Sequence, residues 1–380
     1  MNRLHRPGSA LLVFVLCTAL PGVAQVIPRA NLHASFTDNL FQNYDRQSAW
    51  ITNAFIDLDY VPSSELNLYY TGSARVFTEF EDLFNHTHQA GLSLVRPRNE
   101  RDVLYAGAEI SMRLDRPLYD YRDFVKAGGY ATAKIYLRPS LLSRSGYSLR
   151  YQEYVNARDY SFVDQTLFAQ LSQFLPTRTT VQVRGELGLK SYARAVDGSG
   201  EAADDTLAAP ARSGSGRHLA QLVSRIKVAQ SLNLTTGLQL QYRNRTNLTG
   251  QSRYRAEQVY NPDDDLFDDH HSFSGHELSA TLKHLAGSGW QLEVTGRSED
   301  RHYRGRPALD LEGFLLDSGE TRCDTRRSLS VGAEKSIFPQ AGWVREVRVQ
   351  LGWLYSDIET NDLYYRATSQ MFSSGIQLDF

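Results

Sequence analysis

Cysteine is nearly absent from this chain, with only Cys17 and Cys323 among 380 residues. Once a leader containing Cys17 is removed, Cys323 stands alone, which excludes an intramolecular disulfide. After residue 24 no run of eighteen apolar residues occurs, and mean hydropathy is −0.42, which excludes helical membrane spans. An excess of charge is missing too: 41 basic residues face 43 acidic ones, so nothing in the balance supports nucleic-acid binding. A low mean hydropathy does not exclude a membrane β-barrel, because alternating lipid-facing and lumen-facing residues average to a polar value.

The N-terminus has the three parts of an export signal. Arg3 and Arg6 are followed by an apolar stretch from Ala10 to Leu20, and Pro21 precedes the small residues Gly22 to Ala24. Cleavage is expected after Ala24, giving a signal peptide over 1–24 and a barrel over 25–380. Cys17 follows Leu16, where a lipoprotein signal needs a small residue, so no lipid anchor is expected. Removing the leader discards two arginines and no acid, leaving a net charge of −4.

What fills the rest is period-two alternation. Leu66, Leu68, Tyr70, Gly72, Ala74 and Val76 share one face, with Asn67, Tyr69, Thr71, Ser73 and Arg75 on the other. The pattern recurs at 104–113, 181–190 and 232–243. Such segments exceed ordinary globular strands and match the nine to eleven residues that cross a bilayer at a tilt. Strands are expected near 30–39, 49–60, 65–77, 87–96, 102–114, 123–138, 146–157, 163–175, 178–192, 217–229, 232–246, 273–285, 289–303, 324–337, 343–357 and 365–380. The fold class is therefore all-β: a transmembrane antiparallel up-and-down β-barrel of about sixteen strands.

Connections alternate in length. Short ones such as 61–64, 176–178, 286–289 and 338–342 alternate with longer ones, including 193–216, 247–272 and 304–323. Outer-membrane barrels have short periplasmic turns and long external loops, so both ends of the barrel fall on the periplasmic side. Trp50 and Tyr60, and likewise Trp343 and Trp353, lie ten residues apart on one face. At about 3.3 Å per residue and a tilt of roughly 40° they span about 25 Å, the height of the apolar band. A one-residue slip of 178–192 would turn Arg184, Glu186 and Lys190 to lipid, at roughly 2–4 kcal/mol per basic group near the midplane. Glu153, Lys335 and Arg345 are exceptions on the outer face, expected near strand ends.

At the C-terminus, Phe372, Ile376, Leu378 and Phe380 alternate up to a final aromatic. This resembles the signal that outer-membrane β-barrel (porin-like) proteins present to the barrel assembly machinery, and it implies that machinery as a partner. Polarity slips between Met371 and Phe372, where a bulge is expected. Phe36 to Phe41 (FTDNLF) is similar to first strands of several barrel families. The resemblance implies the bacterial outer membrane, with its lipids and lipopolysaccharide as surroundings, and leaves room for a homo-oligomer.

Candidate chemistry is sparse. His86 and His88 share a strand face, but no third metal ligand is fixed by spacing. Asp263, Asp264, Asp265, Asp268 and Asp269, followed by His270 and His271, form an acidic cluster whose oxygens suit calcium; the Gly and Glu of an EF-hand loop are missing, and a solvated loop is the simpler reading. His218, His276 and His302, with Ser274 and Asp300 nearby, invite comparison with barrel proteases and phospholipases, yet no catalytic geometry follows from scattered residues. No enzyme, cofactor or bound metal is expected. The lumen carries more. Arg75, Lys126, Lys134, Arg150, Arg184, Glu186, Lys190, Arg225, Lys227, Arg243, Glu293 and Arg297 point inward, basic charge concentrating in the middle strands. Asp57, Asp59, Glu109, Glu277, Glu299 and Glu334 lie mostly on the remaining wall, giving a transverse field. Sixteen strands leave an aqueous channel. The expected function is passive diffusion of small hydrophilic solutes, with the three long loops as candidate constrictions; the alternatives are a non-conducting scaffold or secretion partner and an outer-membrane hydrolase.

Overall fold

The structure is a computed structural model that describes residues 25–194, 217–250, 252–253, 265–312, 314–316, 319–340 and 342–380. The signal peptide over 1–24, most of the 193–216 loop, and Asp263 and Asp264 lie outside the described residues.

Sixteen strands form one closed antiparallel wall: β1 Gln25–Thr37, β2 Ala49–Val61, β3 Leu66–Phe77, β4 Asn85–Pro97, β5 Val103–Asp115, β6 Phe124–Arg138, β7 Leu141–Tyr154, β8 Phe162–Phe174, β9 Thr179–Tyr192, β10 His218–Ser231, β11 Thr236–Thr249, β12 Ser274–Ala286, β13 Trp290–Pro307, β14 Thr321–Ile337, β15 Glu346–Thr360 and β16 Ala367–Asp379. Each strand pairs with its chain neighbours, and β1 closes on β16 from Arg29↔Asp379 to Thr37↔Met371. No edge is left to pair with another molecule.

Alternation decides which face meets lipid. Ile56, Leu68, Ile110, Leu167, Val183, Ile226, Leu240 and Leu278 stand exposed on the outer face, a surface tolerable only in hydrocarbon. Their neighbours in sequence point inward and, apart from Phe55 and Phe168, are polar. Trp50 and Tyr60 mark opposite ends of the outer face of β2. Trp343, by contrast, lies in the turn before β15 rather than on that strand, where it stacks on Phe380 with ring centroids 4.7 Å apart. Arg345 sits in the same turn, while Lys335 lies on β14, its ammonium 5.5 Å from the Trp290 ring.

Three expectations shift. Residues 232–235 form the turn between β10 and β11, so Leu232 and Leu234 extend no strand. β7 begins five residues earlier than its pattern suggests, because the turn at 139–140 is tighter. No bulge interrupts β16: its ladder to β1 and β15 runs unbroken through Met371 and Phe372, and Met371 faces inward opposite Leu354.

Candidate functional site

The inward faces of β7 to β14 hold the densest charge. Register places Arg184, Arg225 and Arg243 directly opposite one another across β9, β10 and β11. Like charges in cross-strand contact repel, so such a row persists only where carboxylates or anions offset it. Two carboxylates stand close. Glu186 lies 2.9 Å from Arg184 and 3.5 Å from Arg225, and Glu277 lies 3.2 Å from Arg243 and 4.0 Å from Arg297. Arg184 also stacks on Phe168, 4.0 Å from the ring centroid.

Above this row residues 265–273, which lead into β12, fold into the barrel. Asp265 accepts from Arg150 of β7 at 2.7 Å, and Asp268 accepts from Arg301 of β13 at 2.7 Å and from Arg326 of β14 at 2.9 Å. Strands β7 and β14 lie nearly opposite on the closed wall. Three residues of chain reach only about 10 Å, so arginines from two walls converge on a strap that crosses the lumen. A loop outside the barrel touches only neighbouring strands; one that bonds to β7, β9, β10, β11, β13 and β14 must lie inside.

The strap is held by more than charge. Asp269 pairs with Lys190 of β9 and accepts from Ser252. Gln221 of β10 donates to the His270 carbonyl at 2.7 Å, and Asn247 of β11 donates to the His271 carbonyl at 2.9 Å. Leu266 is 0 % exposed and packs with Phe267 against Tyr154, Phe162, Tyr192 and Leu219. Burial of each of these two apolar side chains contributes about 1.5–3 kcal/mol. The two residues anchor what would otherwise be a solvated acidic segment.

Charge compensation is close throughout. Asp268 also accepts from the Tyr303 hydroxyl at 2.8 Å, and Arg306 bonds the Phe267 carbonyl. Asp324 accepts from Arg322 at 2.8 Å and from Arg326 at 2.9 Å, while Arg301 also pairs with Glu299 at 2.8 Å. Burial pushes the Asp268 carboxyl up, but Arg326, Arg301 and Arg306 outweigh it and hold it below the usual carboxylate range. For Asp269, Lys190 and His270 overcome burial by a wide margin. At Asp362, in the loop between β15 and β16, burial wins over Arg322, and the carboxyl is pushed up to about 6.

The lumen-facing charges are not segregated into opposed walls. Lys126 lies 3.0 Å from Glu109, and Lys283 lies 2.8 Å from Glu293. Acid and base are neighbours because adjacent strands supply both. Arg75 donates to Asn53 at 2.7 Å, and the Lys134 ammonium sits 5.5 Å from the Tyr136 ring. Lys227, half-buried between Gln182 and Gln241, has no acidic partner among the described residues. Of the acidic cluster, Asp265, Asp268 and Asp269 are turned to basic side chains on different walls instead of converging on one another. Sequence reasoning passed over Arg301, Arg306 and Arg326, which grip the strap, and Arg322, which pairs with Asp324 beside them. A signal was present in Leu266 and Phe267, an apolar pair inside an acidic loop that demands burial.

Nearer the periplasmic end, the wall formed by β13 to β16 and β1 contains a recess of about 450 Å³ among Glu293, Glu334 and Gln350, with Gly332, Gly352 and Gly375 at its floor. The histidines at the external rim face outward. His276 contacts Tyr242 and Asn244, His302 lies 3.3 Å from the Cys323 sulfur, and Ser274 accepts from the Asn247 amide. His218 meets Ser191 at 3.0 Å, but no carboxylate orients its imidazole among the described residues. His86 and His88 also face outward, 3.0 Å apart. Phe372 and Ile376 are exposed on the outer face of β16.

No family model matches the chain, and no curated protein matches it in sequence. Solved structures do match over nearly the whole chain. OccAB1 of Acinetobacter baumannii is similar at a TM-score of 0.52 and 12 % identity, covering 94 % of this chain and 96 % of that one. OccD3 (OpdP) of Pseudomonas aeruginosa is similar at 0.50 and 10 %, covering 93 % and 91 %. The outer-membrane protein OpdK of Pseudomonas aeruginosa is similar at 0.50 and 11 %, covering 94 % and 99 %. The likeness is one of fold alone, a closed antiparallel β-barrel, in agreement with the apolar outer belt.

Proposed function

We propose that the chain is a channel for passive diffusion of small hydrophilic solutes across the outer membrane, with a preference for solutes carrying an anionic group. The observation that carries this reading is the row Arg184, Arg225 and Arg243, in direct register on the lumen wall with Glu186 and Glu277 as its near acids. Arg297 and Lys227 add further positive charge close by. A wet, low-dielectric wall of this kind concentrates anions and gives a carboxylate or phosphate bidentate partners. The strap above the row narrows the path and selects by size.

Purified protein in planar bilayers under a salt gradient tests the reading. Discrete conductance steps with a reversal potential on the anion side are expected; an absence of steps over many insertions rejects it. A second reading, a barrel that conducts nothing and serves as a scaffold or secretion partner, draws support from the strap itself, since it crosses the lumen between nearly opposite walls. A co-purifying protein together with silent bilayers would favour that alternative. We read the chain as non-enzymatic, the rim histidines forming no catalytic constellation among the described residues.

A further inference from the structure

We infer that the strap carries a binding site for one divalent transition-metal ion, ligated by the Asp269 carboxylate and the imidazoles of His270 and His271. Asp269 Oδ1 lies 3.1 Å from His270 Nδ1 and 3.5 Å from His271 Nδ1, and one ligand atom from each residue falls within 4.8 Å of the other two. In a tetrahedral zinc site with bonds of about 2.0–2.1 Å, neighbouring ligand atoms stand about 3.3 Å apart. The separations around Asp269 Oδ1 bracket that value.

A second observation points to a ligand independently of these distances. His271 is 2 % exposed, and neither of its ring nitrogens has a hydrogen-bond partner among the described residues. Buried polar groups are almost always satisfied, so an imidazole orphaned at both nitrogens calls for a missing partner. Its Nδ1 faces Asp269, where a metal ion would provide one.

Local structure holds the set in place. Asp269 caps the single turn His270–Ser272, accepting from the His271 amide at 3.1 Å, and its other carboxylate oxygen is taken by Lys190 and Ser252. Oδ1 is thereby left toward the two imidazoles, whose rings lie 4.1 Å apart. The His270 side chain is 42 % exposed, giving an ion a way in. Two nitrogens and one oxygen suit zinc, nickel or copper(II) and discriminate against calcium and magnesium, which prefer all-oxygen shells. The nearby Lys190 ammonium, bonded to the other carboxylate oxygen, lowers affinity for a cation.

This site goes beyond solute passage, and its test does not use conductance. The full mature barrel, folded in detergent without a polyhistidine tag and stripped with chelator, is titrated with zinc chloride by calorimetry, and bound zinc is counted after desalting. One zinc per chain is expected, displaced by nickel and unaffected by millimolar calcium or magnesium. His270→Ala should weaken binding at least about tenfold, since losing a ligand costs no less than losing its outer-shell support. His86→Ala, which removes one of the outward-facing histidine pair, should leave binding unchanged. Heat-modifiable gel mobility confirms that each variant is folded; because His270 is partly exposed, its variant carries the test even if His271→Ala fails to fold. Substoichiometric zinc, equal affinity in His270→Ala and the parent, or loss of binding in His86→Ala would each overturn the inference.

Discussion

In the extracellular half of the lumen Asp268 is gripped by Arg301, Arg306 and Arg326 and Leu266 is fully buried. In the periplasmic half Glu293, Glu334 and Gln350 stand around a recess with a glycine floor. The same strands build both regions. The upper one is a packed interior with paired ions, where removing a single partner strands others in a medium that cannot solvate them. The lower one is a wetted wall, where charges are screened and a change of one side chain is absorbed. Substitutions in the two halves should therefore differ in kind, and the contrast can be tested from its strongest consequence downward.

Asp268→Ala should have the largest effect. Three arginines lose their shared carboxylate, a loss of about 3–5 kcal/mol for a buried pair, and the strap should detach. A several-fold rise in single-channel conductance and new protease cleavage between β11 and β12 are expected. Unchanged conductance with an intact strap would erase the distinction between the halves. Next comes Arg225→Gln, at the centre of the arginine row. It should cut the ratio of chloride to potassium permeability by about half, read from reversal potentials, with little change in strap protection.

pH separates the two kinds of loop carboxyl. Asp268 and Asp269 have folded pKa values depressed below the unfolded ones, so their stabilisation is fully present above the ordinary carboxylate range. It is lost only as pH falls through the depressed values. These two carboxyls therefore leave strap protection unchanged between pH 7 and pH 5, whereas His271, whose pKa burial lowers, weakens the strap as pH falls below the ordinary imidazole value. Asp362, pushed up to about 6, works in the opposite sense. The folded state binds its proton more tightly, so docking of the loop between β15 and β16 is strongest below the ordinary carboxylate pKa, weakens as pH rises toward 6, and loses nothing further beyond it. Hydrogen-exchange protection factors in that loop should increase from pH 7 to pH 5, and Asp362→Asn should abolish the difference. The smallest effect is expected at the periplasmic rim, where Trp343→Ala removes the stack on Phe380 and should destabilise the barrel by about 0.5–1.5 kcal/mol, measured by urea unfolding.

The wall was legible because its rule is local: each residue's face follows from the parity of its position, and lipid enforces that parity along every strand. Even so, the boundary of β11 slipped, since Leu232 and Leu234 continue the alternation into a turn. The strap was not legible for the opposite reason. Arg150 and Asp265 are separated by 115 positions and Lys190 and Asp269 by 79, with nothing periodic linking them. Charges that looked like solvated loop on one side and lumen lining on the other are one network. Opposed charged walls are what strand-by-strand composition suggests, whereas Arg243 and Glu277 meet across neighbouring strands.

The seam between β1 and β16 has a consequence for biogenesis. Its nine residue pairs join the two ends of the described chain, so none can form until the last strand is available. Until then both terminal strands expose unsatisfied amides and carbonyls, and the long loop that must be closed makes that final step entropically slow. A chain truncated before Ala367 would retain fourteen adjacent pairings and still have two open margins, and it should accumulate as an assembly intermediate prone to aggregation.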